Sequence, residues 1–233
     1  MKEMIEKYRQ NIECLNRQVS EACIRSGRNS GEVTIVAATK YADPQEVKII
    51  NELGIDNFGE NRADELLCKK DHIKKRAVWH FIGHLQSRKA KYVVPEVDYI
   101  HSIDSIKILE KVSSEAERSG KIQKVLVEIN ISREETKYGL ITDNVIDFIN
   151  KAEKIDNVEL KGFMTMAPLT YDMENIREIF RKTRELRDKI SSLGNKSSFT
   201  ELSMGMSNDF ETAIASGATH IRIGTALFGE RPQ

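Results

Sequence analysis

Apolar side chains recur along the first two dozen residues at spacings of three and four: Ile5, Tyr8, Ile12, Leu15, Val19, Ala22 and Cys23. That period predicts an amphipathic helix from about Met4 to Ile24, closed by Gly27. The pattern then changes. VTIVAATK, Val33 to Lys40, is a short β-branched run of the kind found in a strand buried on both faces. The next stretch, ADPQEV, predicts a helix start. Asp43 suits the cap, Pro44 the first helical position and Glu46 the reciprocal acid of a capping box. This helix is expected to run to Leu53 and stop at Gly54.

The same alternation repeats down the chain. Strands are expected at Asn57–Asn61, Trp79–Leu85, Tyr99–Asp104, Lys124–Ile131, Leu160–Met166, Phe199–Gly205 and His220–Gly224. The clearest helical stretches are Asp104–Ser119, Thr142–Ile155, Asp172–Leu193 stopped by Gly194, and Asn208–Ser216 stopped by Gly217. With Val33–Lys40 this makes eight strands, each after the first preceded by a spacer of helical size. Parallel strands need such crossovers. Eight β–α units in this length predict a (β/α)8 TIM barrel of the α/β class. A doubly wound open sheet is the alternative. It would usually carry a G-x-G-x-x-G turn after the first strand, and Thr39-Lys40-Tyr41 is unlike one. No interior boundary or internal repeat is visible. Residues 1–233 are therefore expected to form a single domain, with residues 1–27 as an extra N-terminal helix packed on the barrel.

Composition narrows the function. The 36 basic and 36 acidic side chains balance, so no broad basic surface attracts nucleic acid, and Arg88, Lys89 and Lys91 read as a solvated face. No apolar run approaches the roughly 20 residues of a membrane helix, and the opening MKEMIEKYRQ lacks a signal-peptide core. Cys14, Cys23 and Cys68 are odd in number and lack C-x-x-C spacing, so a reducing cytoplasm is the expected location. His80 and His84 lie on a predicted strand, where four residues span roughly 13 Å, too far to share an ion. No metal site is expected, and no G-x-S-x-G elbow supports a serine nucleophile.

In a barrel the chemistry sits at the C-terminal strand ends. Lys40, Asn61, His84, Gln86, Asn130, Ser203, Ser207, Arg222, Gly224 and Thr225 fall there. Burial of Lys40 in a packed mouth would favour the free amine, the form that attacks aldehydes. A lysine snorkelling to solvent is the competing reading. After the seventh and eighth strands, SMGMSND with Ser207 as cap and Gly224-Thr225 suggest backbone amides gathered for a phosphate. Ordinary capping plus a tight turn competes. Asp209 and Glu211 weigh against a dianion unless they point away. Arg222 shares a strand face with Gly224 and keeps its charge; a phosphate, a ring nitrogen or a carboxylate could face it.

Six stretches carry a resemblance: VAATK (36–40), FGEN (58–61), WHFIGHLQSRK (79–89), EINISREETKYG (128–139), LKGFMTMAP (160–168) and LSMGMSNDFETAIASGATHIRIGTALFG (202–229). In this order they resemble the pyridoxal 5′-phosphate homeostasis proteins. The resemblance implies a barrel like the N-terminal domain of alanine racemase, with pyridoxal 5′-phosphate (PLP) as cofactor. It implies that Lys40 holds PLP as a Schiff base. It places Ser207, Gly224 and Thr225 on the phosphate, Arg222 opposite the pyridine nitrogen and Asn61 near the cofactor. Three positions depart from the pattern: Thr39 for serine, His84 for proline, and Tyr138 for a smaller residue. His84 is expected to alter the mouth beside the third strand.

A charged arginine opposite the ring nitrogen disfavours protonation there and weakens the cofactor as an electron sink. In the racemases a second acid–base group comes from an added domain, which a chain ending at Gln233 is not expected to carry. The expected function is thus a non-catalytic, monomeric carrier in intracellular vitamin B6 homeostasis. It would hold PLP reversibly, with apo forms of PLP-dependent enzymes as recipients. Two alternatives stand beside it: a low-activity amino-acid racemase, and a sugar-phosphate barrel using Lys40 as an aldolase-type base.

Overall fold

The computed structural model describes residues 1–73, 76–134, 137–168, 170, 172–193 and 198–230. Eight parallel strands close into a barrel in chain order: β1 (Thr34–Ala38), β2 (Asn57–Glu60), β3 (Val78–Phe81), β4 (Tyr99–Ile103), β5 (Gln123–Glu128), β6 (Val158–Met164), β7 (Glu201–Ser203) and β8 (His220–Ile223). Closure is made by β1 on β8, with Val36 opposite Arg222 and Ala37 opposite Ile223. The expected (β/α)8 barrel is therefore the observed one. Every expected strand is present and each stops short at its C-terminal end. The residues beyond leave the ladder to form the rim loops, where function concentrates in this architecture.

The helices are α1 (Lys2–Arg25), α2 (Pro44–Glu52), α3 (Ala63–Lys70), α4 (Ala90–Val93), α5 (Ile106–Arg118), α6 (Val145–Ala152), α7 (Met173–Ser192), α8 (Phe210–Ala215) and α9 (Thr225–Phe228). The capping box of α2 forms as the sequence requires: Asp43 Oδ1 accepts from the Glu46 amide at 2.9 Å, and Glu46 Oε2 accepts from the Asp43 amide at 2.9 Å. Tyr8 donates to the same Glu46 carboxylate, tying α1 to α2. Just past α1, Arg28 Nη1 bonds the carbonyls of Ile214 (2.9 Å) and Ala218 (2.8 Å), which anchors the helix across α8. Between β3 and β4 the crossover is broken: α4 is one turn, flanked by 3-10 turns at Ser87–Lys89 and Val94–Glu96. Pro95 in the second turn lacks the amide needed to continue a helix. Gly194, expected to stop α7, lies outside the described residues.

Alternate strand residues divide between two regions. Outward, Phe58, Trp79, Phe81, Ile100, Val125, Val127, Phe163, Leu202, Ile221 and Ile223 are buried against the helices. Ile108, Leu109, Val112 and Ala116 meet them from α5 at helical spacing. Inward, the strands present a largely polar set, described below. At one place the wall depends on glycine. Gly162 takes φ +155, and a Cβ there would stand 1.8 Å from the Glu201 carbonyl oxygen. The β5–β6 register shifts beside it, between Val125 and Leu126. Among the described residues no helix is long and apolar enough to cross a membrane.

Candidate functional site

The expected site residues gather at one end of the barrel. Lys40 follows β1, Asn61 follows β2, Ser207 follows β7, and Gly224 and Thr225 follow β8, while Arg222 lies one step down inside β8. Because β1 and β8 are neighbours, Lys40 and the Gly224 turn share a stretch of rim; a Cβ on Gly224 would stand 3.6 Å from the Ala38 carbonyl oxygen. Asn61 is half-buried and its side-chain amide bonds nothing among the described residues. Its backbone is pressed against the following strand's loop, where a Cβ at Gly83 would come 2.5 Å from the Asn61 carbonyl oxygen.

Lys40 corrects one expectation. Its side chain is exposed, not packed in the mouth, and its Nζ lies 4.5 Å from the centre of the Tyr41 ring. The cause is local: β1 ends at Ala38, Thr39 is buried, and Tyr41 turns the chain with φ 68. Snorkelling to solvent therefore describes this lysine, and it has no hydrogen bond or ion pair among the described residues. Below it the backbone is clamped. Glu60 Oε1 accepts from the Thr39 hydroxyl (2.5 Å) and from Lys69 Nζ (2.5 Å), and Lys69 also donates to the Thr39 carbonyl at 2.8 Å. Removing one partner of such a buried ion pair typically costs about 3–5 kcal/mol. Sequence reading passed over Lys69, which pairs with Glu65 on its own helix at 2.9 Å but whose buried partner Glu60 lies on a different element.

At the other side of this stretch of rim, Ser207 does not cap α8 as expected. Asp209 occupies the cap position, and Ser207 Oγ instead accepts from the Ala226 amide at 3.2 Å, joining the β7 and β8 loops. The amides of Ser207, Asn208, Gly224 and Thr225 have no acceptor among the described residues. Four unpaired N–H groups and a hydroxyl are the donor set an anion requires. The two acids that raised doubt are both engaged. Glu211 pairs with Arg25 at 2.5 Å, and Asp209 Oδ1 accepts from the Met206 amide at 2.5 Å. Burial pushes the Asp209 carboxyl up, with the Met206 amide and Arg222 opposing.

Arg222 is buried and forms no ion pair among the described residues, so the salt-bridge reading fails there. Its Nη1 donates to Ser203 Oγ at 2.6 Å and its Nη2 to the Thr165 carbonyl at 2.9 Å. Burial brings its pKa down to about 10, with Asp209 and Glu128 opposing, so it stays charged at neutrality. Glu128, which the sequence reading missed, lies buried at the end of β5; burial and Asp104 push it up to about 7 while Arg222 opposes. Its position at the last inward place of a strand was the available signal. His84 and Tyr138, the two departures at the mouth, meet each other: their rings stack with centroids 4.0 Å apart at 15°.

Residues 7–232 match the family model for the N-terminal domain of alanine racemase. A pyridoxal phosphate homeostasis protein of Aquifex aeolicus is 39% identical over 215 residues, spanning 92% of this chain and 94% of its own. The chain belongs to the pyridoxal phosphate homeostasis protein family. PipY of Synechococcus elongatus, solved with PLP bound, is similar at 29% identity and a TM-score of 0.81, covering 91% of this chain and 100% of that one. Alanine racemase of Clostridium difficile 630 shares the fold at 15% identity and a TM-score of 0.76, over 98% of this chain but 58% of the racemase. The match over residues 7–232 spans all eight strands and the loops that follow them.

Proposed function

We propose that this protein binds PLP reversibly and takes part in intracellular vitamin B6 homeostasis. The observation that carries the reading is one rim bearing an exposed lysine, four backbone amides without an acceptor among the described residues, and a buried charged arginine. These residues fit the cofactor's three handles. Lys40 meets the aldehyde; Ser207 with the amides of Gly224 and Thr225 receives the phosphate; Arg222 faces the ring nitrogen and Asn61 lies beside the ring. The cofactor supplies an aldehyde that a primary amine captures with loss of water and releases on hydrolysis. The names of the relatives and the PLP bound to PipY support the assignment.

The same residues favour storage over catalysis. Arg222, charged at neutrality, opposes a second positive charge on the ring nitrogen, which weakens the cofactor as an electron sink. Lys40 offers an amine to one face of the ring only. The protein is read here as a non-catalytic, cytoplasmic monomer that keeps the aldehyde scarce in free solution and passes it to apo-enzymes.

The test is direct. Purified protein mixed with PLP and reduced with borohydride should gain one pyridoxyl group, mapped to Lys40 by peptide mass. An adduct on another residue, or none, overturns the assignment.

A further inference from the structure

Beneath Arg222 the lumen holds an unbroken run of hydrogen bonds that the PLP reading leaves unexplained. Arg222 Nη1 donates to Ser203 Oγ at 2.6 Å. Ser203 Oγ lies 2.9 Å from His101 Nδ1, His101 Nε2 lies 2.9 Å from His80 Nδ1, and His80 Nε2 lies 3.0 Å from Asn57 Oδ1. Five residues from β8, β7, β4, β3 and β2 are thereby connected across the barrel.

The Asn57 end fixes the direction of every bond, and the Arg222 end is compatible with it. A guanidinium can only donate and an amide oxygen can only accept. His80 must therefore carry its proton on Nε2, which leaves its Nδ1 bare. That nitrogen accepts from His101 Nε2–H, which leaves His101 Nδ1 bare to accept from the Ser203 hydroxyl. The Ser203 oxygen is then left with lone pairs for Arg222. Each ring carries one proton, and burial, followed by the neighbouring charges, holds both histidines well below the ordinary range and so neutral. Packing holds the rings in place: His80 stacks on Tyr99 at 4.9 Å and 12°, and His101 meets His80 edge-on at 82°. Bonds aligned in one sense polarise one another.

We propose that Asn57, His80, His101 and Ser203 are positioning residues, a one-way donor chain that holds the Arg222 guanidinium in a single orientation toward the cofactor ring. This rests on the reading of Arg222 given above. The chain turns the Ser203 oxygen permanently toward Nη1, while the Thr165 carbonyl fixes Nη2 at 2.9 Å. The remaining guanidinium N–H groups have no acceptor among the described residues and are available to a ligand.

Two measurements test it. Ring nitrogen-15 spectra of the ligand-free protein at pH 7 should show His80 and His101 both as neutral Nε2–H tautomers; an Nδ1–H tautomer or a doubly protonated ring in either overturns the chain. Absorbance titrations should compare PLP with its 1-deaza analogue, in which a C–H replaces the ring nitrogen. The wild type should prefer PLP about tenfold, the worth of one charge-assisted hydrogen bond. His101→Phe should cut that preference below about threefold while the analogue's Kd moves less than about twofold, and Ser203→Thr, which keeps the hydroxyl, should retain it. If His101→Phe does not fold, Ser203→Ala carries the same expectation. Equal weakening of both ligands, or an unchanged ratio, means a merely structural role and overturns the proposal. A wild type that binds neither ligand sinks the cofactor reading instead, and the donor chain is then decided by the ring tautomers.

Discussion

The outer and inner faces of the barrel are cut from the same eight strands and follow opposite rules. The outer face, from Phe58 round to Ile223, is apolar and meets helices that carry matching stripes. The inner face carries Asn57, His80, Tyr99, His101, Glu201, Ser203, His220 and Arg222, where barrels of this kind are usually filled with branched aliphatic side chains. The outer face is held by volume and area, which tolerate no gap but ignore pH. The inner face is held by directed bonds and charge balance, which tolerate solvent poorly but respond to protons and ligands. Apolar packing and directed polar bonding are thus separated by the thickness of one sheet.

The largest expected effect lies on the outer face. Phe163, fully buried and edge-on to Phe199 at 4.9 Å, should cost about 3–5 kcal/mol when cut to alanine, measured by urea denaturation. PLP affinity of the folded fraction should stay unchanged. A comparable loss of affinity would show that the two faces are not separate.

The inner face should instead reveal itself through pH, by two opposed slopes. Burial and Arg222 bring His220 from 6.5 down to about 4, so between those values the unfolded chain binds more protons than the folded one. That contribution is intact above 6.5 and is lost as pH falls, about 3 kcal/mol over the window. Burial and Asp104 push Glu128 from 4.5 up to about 7, so there the folded chain binds more protons. Stability from this group is present at low pH and lost as pH rises through 7, again by about 3 kcal/mol. The two nearly cancel in the native protein between 4.5 and 6.5. Glu128→Gln should expose the acid loss and His220→Gln the alkaline one, read as denaturation midpoints at pH 4.5, 6 and 8. Parallel curves for both variants would remove this account.

The smallest effect belongs to the rim. Tyr138→Ser breaks an exposed stack on His84 and should cost under about 1 kcal/mol. A larger loss would make the mouth part of the stability core.

Most of the outer face could be read from sequence, because its signals are local. The cap of Asp43 and Glu46 spans three residues, and the apolar stripe of α1 repeats within one turn. The inner face could be read only in part. Arg222 and the residues after each strand stood out because barrel geometry names those positions in advance. The bonds that define the lumen did not, since His101 and its partner Ser203 lie 102 residues apart and no motif joins them. Their trace was present as polar residues at every second place in His80, Tyr99–His101, Glu201–Ser203 and His220–Arg222. Lys40 was misjudged for a different reason: the strand was extended two residues too far, and the turn at Tyr41 carries the side chain outward.

On the proposed reading, that outward lysine would set the tempo of exchange. A covalent link sealed within a fold must await some opening motion before another molecule can reach it. One standing at an open lip is within reach of water and of foreign amines from the start, so cargo could leave by ordinary solution chemistry while the barrel itself stays shut.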